Sequence, residues 1–148
     1  MQIYTGSYAT CKVGNLISIS GDRGKGASFK GKAISQLAPK REFWKVWHNN
    51  IGKISEIENT KYYIREYYKQ VLYNVDILQL LKNEENPILL CYESSCDFCH
   101  RHILAEYINI KYGIEVKEIE IYNESQVKFI QRPKYIREIL EKVISETL

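Results

Sequence analysis

The order of secondary-structure elements is clearest in NPILLCYESSCDFCHRHILAEYINIKYGIEVKEIEIY, from Asn86 to Tyr122. The continuous apolar run after Pro87 predicts a buried strand, because a strand in the centre of a parallel sheet is covered on both faces. Apolar residues at helical spacing follow, and they predict a helix with Asp97 as its N-cap and Gly113 just past its end. The alternating residues 114–122 predict another strand. This order of strand, helix and strand predicts an α/β fold.

The rest of the chain continues the alternation of strands and helices. Further strands are predicted over residues 2–9 and 15–20, and further helices after Pro39 and over residues 59–72, 74–82 and 132–148. Asn59 or Thr60 is available to cap the second of these helices, and Asn74 or Asp76 the third. We therefore expect one α/β domain over residues 1–148, with a small, mainly parallel sheet flanked by helices and a C-terminal helical extension over about 133–148.

The composition is that of a soluble globular protein, with 45% hydrophobic and 26% charged residues in a chain of 148. No apolar run is long enough to span a membrane, so no membrane partner is expected. The N-terminal residues lack the basic and apolar regions of a secretory signal. We therefore expect a cytoplasmic protein whose four cysteines are reduced thiols.

Positive charge is concentrated in one segment. Residues 11–41 contain seven Lys or Arg against one acid, Asp22, whereas the rest of the chain is net acidic. A concentrated basic segment attracts anions such as phosphates. A solvated lysine-rich loop is the alternative interpretation.

The motif CYESSCDFCHR, from Cys91 to Arg101, lies where ligands bind in open α/β sheets, outside the carboxyl end of a strand. Cys99, His100 and Arg101 fall in the first turn of the predicted helix, whose unpaired N–H groups favour an anion or a thiolate. The Arg101 guanidinium is a bidentate donor suited to phosphate. The motif therefore predicts a crevice that binds a phosphate-bearing ligand.

Other interpretations of the motif are weaker. Cys96 and Cys99 have the CxxC spacing of zinc ligands, but the chain offers no second pair at similar spacing, so neither a metal nor another cofactor is predicted. A phosphatase loop needs five residues between Cys and Arg, and only four separate Cys96 from Arg101.

Two further roles for the motif stay open. Glu93, Cys99 and His100 could converge as catalytic residues in a cysteine or acid–base mechanism. Cys91, inside an apolar strand, is alternatively a core residue, since free cysteine is among the most buried residue types.

The loop GASFKGKA (Gly26–Ala33) matches the GxxxxGK pattern of nucleotide hydrolases, but Ala33 stands where a Ser or Thr must bind magnesium. The interpretation that remains is a loop that attracts phosphate without hydrolysis. Lys25, Lys30 and Lys32 are its candidate phosphate-binding residues.

Taken together, these segments resemble the uncharacterised domain-of-unknown-function family 488. The resemblance is carried by IYTGSYA, LISIS, FKGKAISQLAPK, the tyrosine-rich YYIREYYKQVL and above all LLCYESSCDFCHRHILAEYI, and it covers about residues 3–122. It singles out Cys91, Glu93, Cys99, His100 and Arg101, with Pro39 and Trp47 in the first half. It implies a compact Rossmann-like α/β domain of bacteria, archaea and their viruses, and no established reaction.

Three hypotheses about function follow from the sequence. The first is a domain that binds a nucleotide or nucleic acid between the basic loop and the CHR helix start. The second is an enzyme that uses Cys99, His100 and Glu93 on a nucleotide or base. The third is a protein-interaction module whose twelve Tyr and two Trp supply the contact surface. Its partner would be another protein or a second copy of the chain, which would give a homodimer.

Overall fold

A computed structural model describes residues 2–147 of the chain. Its six strands are β1 (Ile3–Ser7), β2 (Asn15–Ser18), β3 (Lys32–Ala33), β4 (Pro87–Cys91), β5 (Val116–Asn123) and β6 (Gln126–Ile130). Its five α-helices are α1 (Arg41–Asn50), α2 (Glu56–Gln70), α3 (Ile77–Leu81), α4 (His100–Tyr112) and α5 (Lys134–Glu146). The strands form one sheet in the order β3-β2-β4-β1-β5-β6, and only the pair β5 and β6 is antiparallel. The prediction of an α/β fold with a mainly parallel sheet is confirmed.

All five helices contribute to one hydrophobic core on one face of the sheet. Strand residues such as Ile17 and Leu89 meet helix residues such as Ile64, Leu104 and Leu140 there, and each of them is fully buried. The C-terminal helix α5 is part of this core and packs against α2 and α4.

The opposite face of the sheet carries a smaller cluster that contains strand and loop residues. Tyr8, Cys11 and Phe29 come from the loops after β1 and β2, and they cover Ile88 and Leu90 of β4. Within residues 2–147, no helix is long and apolar enough to cross a bilayer.

The strand, turn and helix around the CHR motif form as the sequence predicts, with one correction. Strand β4 is buried along its whole length, and Gly113 ends α4 in the left-handed region at φ 70°. Asp97 is not the N-cap of α4, because the helix begins at His100 with Cys99 in the cap position. The Asp97 carboxylate instead accepts a hydrogen bond from Ser94 within the turn.

Other boundaries also differ from the sequence-based expectation. Helix α2 begins at Glu56, because the Ser55 hydroxyl accepts a hydrogen bond from the Glu58 N–H, so neither Asn59 nor Thr60 is its cap. Asp76 caps α3, as predicted. Strands β3 and β6 were not predicted: β3 has only two residues, and in β6 the apolar Val127 and Phe129 alternate with polar residues but are exposed at the sheet edge.

Candidate ligand cleft

A cleft of about 970 Å³ opens at the carboxyl ends of β2 and β4, where α/β sheets commonly bind ligands. The turn after β4 and the start of α4 form one wall, and the segment before α1 forms another. Aromatic side chains line much of it: Trp44, Trp47, Tyr63, Tyr92 and Phe98. Trp47, Tyr63 and Phe98 pack against one another with ring centroids 5.0–5.8 Å apart.

Charged groups of both signs share the cleft with these rings. Lys40 and Arg41 lie at the N-terminus of α1, and both are exposed. Asp22 and Glu93 contribute carboxylates. Burial alone would raise the pKa of Asp22, but hydrogen bonds from Tyr92, Gly26, Gly24 and Ser20 outweigh it and lower the pKa to about 2. Asp22 is therefore an anion at neutral pH.

The glycine-rich loop is organised around this aspartate. The Asp22 carboxylate accepts hydrogen bonds from the N–H groups of Gly24 at 2.8 Å and Gly26 at 3.0 Å, and also from the Tyr92 hydroxyl. A Cβ at Gly26 would lie 2.8 Å from the Tyr92 hydroxyl oxygen, so only glycine fits there without a shift. Because these amide groups already have an acceptor, the loop does not present them to a phosphate.

Cys91 and Cys99 form a disulfide in the wall of the cleft. Cys91 ends β4 and Cys99 precedes α4, so the bond joins the strand end to the helix start. The expectation that all four cysteines are reduced is therefore wrong for this pair. Cys11 and Cys96 are free.

His100 contributes a neutral imidazole beside the disulfide. Its Nε2 lies 2.7 Å from the Ile19 carbonyl oxygen. Because a carbonyl can only accept, Nε2 carries the proton, and Nδ1 is left unprotonated 3.9 Å from the Cys99 sulfur. Burial lowers the pKa of His100 to about 4, a shift that the Ile19 hydrogen bond opposes and the Arg101 charge increases.

Arg101 lies behind the cleft wall and is fully buried. Its Nη2 donates to Glu118 on β5 at 2.8 Å, and its Nη1 lies 3.1 Å from the Cys91 sulfur and 3.3 Å from the Cys99 sulfur. Thr5 and Ser95 also donate to the Glu118 carboxylate. Burial alone would raise the pKa of Glu118, but the hydrogen bonds and charge of Arg101 hold it below its ordinary value.

The residues predicted from the sequence are thus partly brought together. Glu93, Cys99 and His100 all line the cleft, whereas Arg101 and the three loop lysines do not. The Arg101 guanidinium is occupied by Glu118 and the two sulfurs.

The loop lysines lie elsewhere on the surface. Lys32 forms an ion pair with Glu84 at 2.6 Å, and Lys25 and Lys30 are exposed.

The family model described as "Active DUF488-N3 subclade" matches residues 17–112, which is more than half of the chain. The chain belongs to this family. All residues that line the cleft fall inside the matched range, whereas Glu118 lies beyond it. No curated protein and no solved structure matches the chain.

This member of the DUF488-N3 subclade has one cluster suited to a metal among its described residues. The Cys91 and Cys99 sulfurs and a ring nitrogen of His100 lie within 4.8 Å of one another. The donor set fits a soft or borderline metal ion only in the dithiol form, because metals bind thiolates and the disulfide leaves none. The disulfide form described here does not fit a metal.

Several residues in and behind the cleft of this DUF488-N3 protein were not predicted from the sequence. The sequence predicts a helix after Pro39, where Lys40, Arg41 and Trp44 lie. It does not predict which face of that helix lines the cleft. Glu118 sits in an alternating strand, where a charged residue ordinarily faces solvent. The available signal was that Glu118 shares its strand face with the apolar Val116.

Proposed function

We propose that this protein binds a nucleotide in the cleft, with the base against the aromatic side chains and the phosphate near Lys40 and Arg41. The observation that carries the proposal is that exposed aromatic rings and two cationic side chains share one cleft at the strand ends. The volume of about 970 Å³ lies at the upper end of the range for small-molecule sites.

The aromatic lining suits a planar base. Trp44 is 40% exposed, and Trp47, Tyr63 and Phe98 form an edge-packed group beside it. Stacking of a base on an aromatic ring contributes about 1–3 kcal/mol. A ligand with a flat heterocycle therefore gains more from this cleft than phosphate alone does.

The phosphate end is supported by charge at the start of α1. Lys40 is the N-cap, its side chain makes no capping hydrogen bond, and Arg41 is the first helical residue. The unpaired N–H groups and the positive end of the helix dipole favour an anion at this position. The phosphate position proposed from the sequence thus moves from Arg101 and the loop lysines to Lys40 and Arg41.

A mononucleotide fits these features better than a nucleic acid. A nucleic-acid groove depends on a run of cations that neutralise successive phosphates. Here Asp22 and Glu93 share the cleft with the two cations, so the charge is balanced rather than uniformly positive. The Glu93 carboxylate is suited to hydrogen-bond the hydroxyl groups of a ribose, whereas that of Asp22 already accepts hydrogen bonds from the loop and Tyr92.

Calorimetric titration with a nucleoside, its monophosphate and its diphosphate tests this proposal for each of the common bases. We expect the phosphate-bearing member of at least one series to bind more tightly than its nucleoside. Arg41→Ala should weaken that binding by about tenfold to a hundredfold, since a hydrogen bond to a charged group contributes about 1.5–3 kcal/mol.

Lys25→Ala is the matched control, because Lys25 is exposed and does not line the cleft. Equal affinities for nucleoside and nucleotide would overturn the phosphate assignment, and so would an equal loss in the two variants.

A second candidate function is an enzyme acting on a nucleotide or base. It is favoured by the unprotonated Nδ1 of His100 beside Cys99 in the cleft wall, which would accept the proton of a reduced Cys99 thiol. The family description contains the word "Active", which agrees with catalysis. Reduced protein should then convert a bound nucleotide, Cys99→Ser should lose that turnover, and Cys96→Ser should keep it.

A further inference from the structure

The disulfide between Cys91 and Cys99 has surroundings that a purely structural cross-link does not need. Both cysteines line the cleft, although they are only 1% and 3% exposed. The Nη1 of Arg101 lies within 3.3 Å of both. A guanidinium so placed stabilises a thiolate on either sulfur.

The cross-link joins residues that are only 8 positions apart, and short loops gain less from a cross-link than long ones. The strand and helix that it joins are already held by buried residues of the core, such as Leu89, Ile103 and Leu104. The stabilising effect of this cross-link is therefore smaller than that of a pair distant in the sequence.

We propose that Cys91 and Cys99 are a redox-active pair that exchanges with small thiols entering through the cleft. A thiolate attacks one sulfur of the disulfide, a mixed disulfide forms, and the other sulfur leaves as a thiolate. Whichever sulfur leaves, it does so beside Arg101, because Nη1 is within hydrogen-bond reach of both.

A second thiol completes the reaction. It attacks the mixed disulfide and releases the second protein thiolate and a small-molecule disulfide. The protein gains two electrons, two thiols lose them, and the protons of those thiols pass to the protein sulfurs or to water. Oxidised glutathione reverses each step.

The side chains around Cys91 and Cys99, rather than the spacing of the two cysteines in the sequence, favour thiol–disulfide exchange. His100 Nδ1 is 3.9 Å from the Cys99 sulfur and is unprotonated, so it can receive a proton from a thiol formed there. Glu118 holds Arg101 in place through Nε and Nη2 and leaves Nη1 to the sulfurs. The proposal rests on these contacts and not on the identity of the ligand that the cleft binds.

The test is alkylation of the folded protein with iodoacetamide, read by peptide mass spectrometry, in a Cys96→Ser variant that removes the exposed free thiol. As purified, the variant should take up no label at Cys91 or Cys99. After incubation with dithiothreitol or reduced glutathione, without denaturant, both residues should become labelled. Oxidised glutathione added before the label should protect both again.

Three results would overturn the proposal. Labelling only after denaturation would show an inert structural disulfide. A pair that stays reduced in oxidised glutathione would show two thiols that do not exchange. A stoichiometric metal ion that must be chelated before labelling would show a metal site.

The role of Arg101 has its own measurement in the reduced, folded protein. The rate of alkylation at Cys91 and Cys99 should be half-maximal below about pH 8.5, the value for a free thiol. A profile at or above that value would remove the role given to Arg101. The nucleotide titration can fail while the labelling results hold, and the labelling results can fail while a nucleotide binds. The two proposals can therefore be tested independently.

Discussion

Arg101 shows that the contacts of a buried residue do not follow from its neighbours in sequence. Its place in the CHR motif suggested a ligand-binding group, but its partner Glu118 lies seventeen positions further along and on a different element. Only the folding of α4 onto β5 brings the two together. No spacing rule within the motif reports such a contact, and the matched family range ends before Glu118.

Removing either partner of this buried pair should strongly destabilise the fold. Arg101→Met or Glu118→Leu alone should lower the free energy of unfolding by about 3–5 kcal/mol, because each leaves an uncompensated charge in the interior. The double variant should lose less than the sum of the two. Urea titration followed by circular dichroism measures all three.

The pair Lys61–Glu146 provides a matched control on the surface, where the side chains are 33% and 46% exposed. Lys61→Met should change the free energy of unfolding by less than about 1 kcal/mol. Single variants of the buried pair that cost no more than this would contradict the structural role of Arg101.

His100 should make stability fall in mild acid. The unfolded state takes up a proton near pH 6.5, whereas the folded state does so only near pH 4, so stability is lost as the pH falls through this window. The complete loss amounts to about 3–4 kcal/mol, since each pKa unit corresponds to about 1.4 kcal/mol. Urea titrations at a series of pH values should show a smaller loss in His100→Gln. Identical pH dependences would contradict the buried, neutral assignment.

At the scale of elements, periodicity gave good expectations for the buried strand β4 and for helix α4, because their apolar residues repeat with the period of their structure. It misplaced the start of α4, because Asp97 is a common capping residue whose side chain pairs with Ser94 instead. Edge strand β6 carries only a short alternation, in which the apolar Val127 and Phe129 are both exposed.

Helix α5 is part of the core, so truncating its buried side chains should lower the stability of the whole domain. Leu140 is fully buried in the cluster formed by all five helices, so Leu140→Ala should lower the free energy of unfolding by about 2–5 kcal/mol. The neighbouring exposed Glu138→Ala should change it by less than about 0.5 kcal/mol. Thermal and urea unfolding of the two variants measure the difference. Equal stabilities would mean that α5 is dispensable.

At the scale of the whole molecule, the cleft is assembled from segments that are far apart in the chain. Asp22, Trp44, Tyr63 and His100 reach it from the glycine-rich loop, α1, α2 and α4. The sequence predicted the wall at the end of β4, because a strand end followed by a helix start is a local feature. It could not predict the opposite wall, which depends on how α1 lies across the sheet.

The most direct test of the nucleotide cleft uses the protein's own fluorescence. The chain has two tryptophans, Trp44 and Trp47, and both line the cleft. A base that stacks there should quench their emission. We predict saturable quenching by at least one common nucleotide, with weaker binding in Arg41→Ala and unchanged binding in Lys25→Ala. No saturable change with any nucleotide up to millimolar concentration would contradict the account.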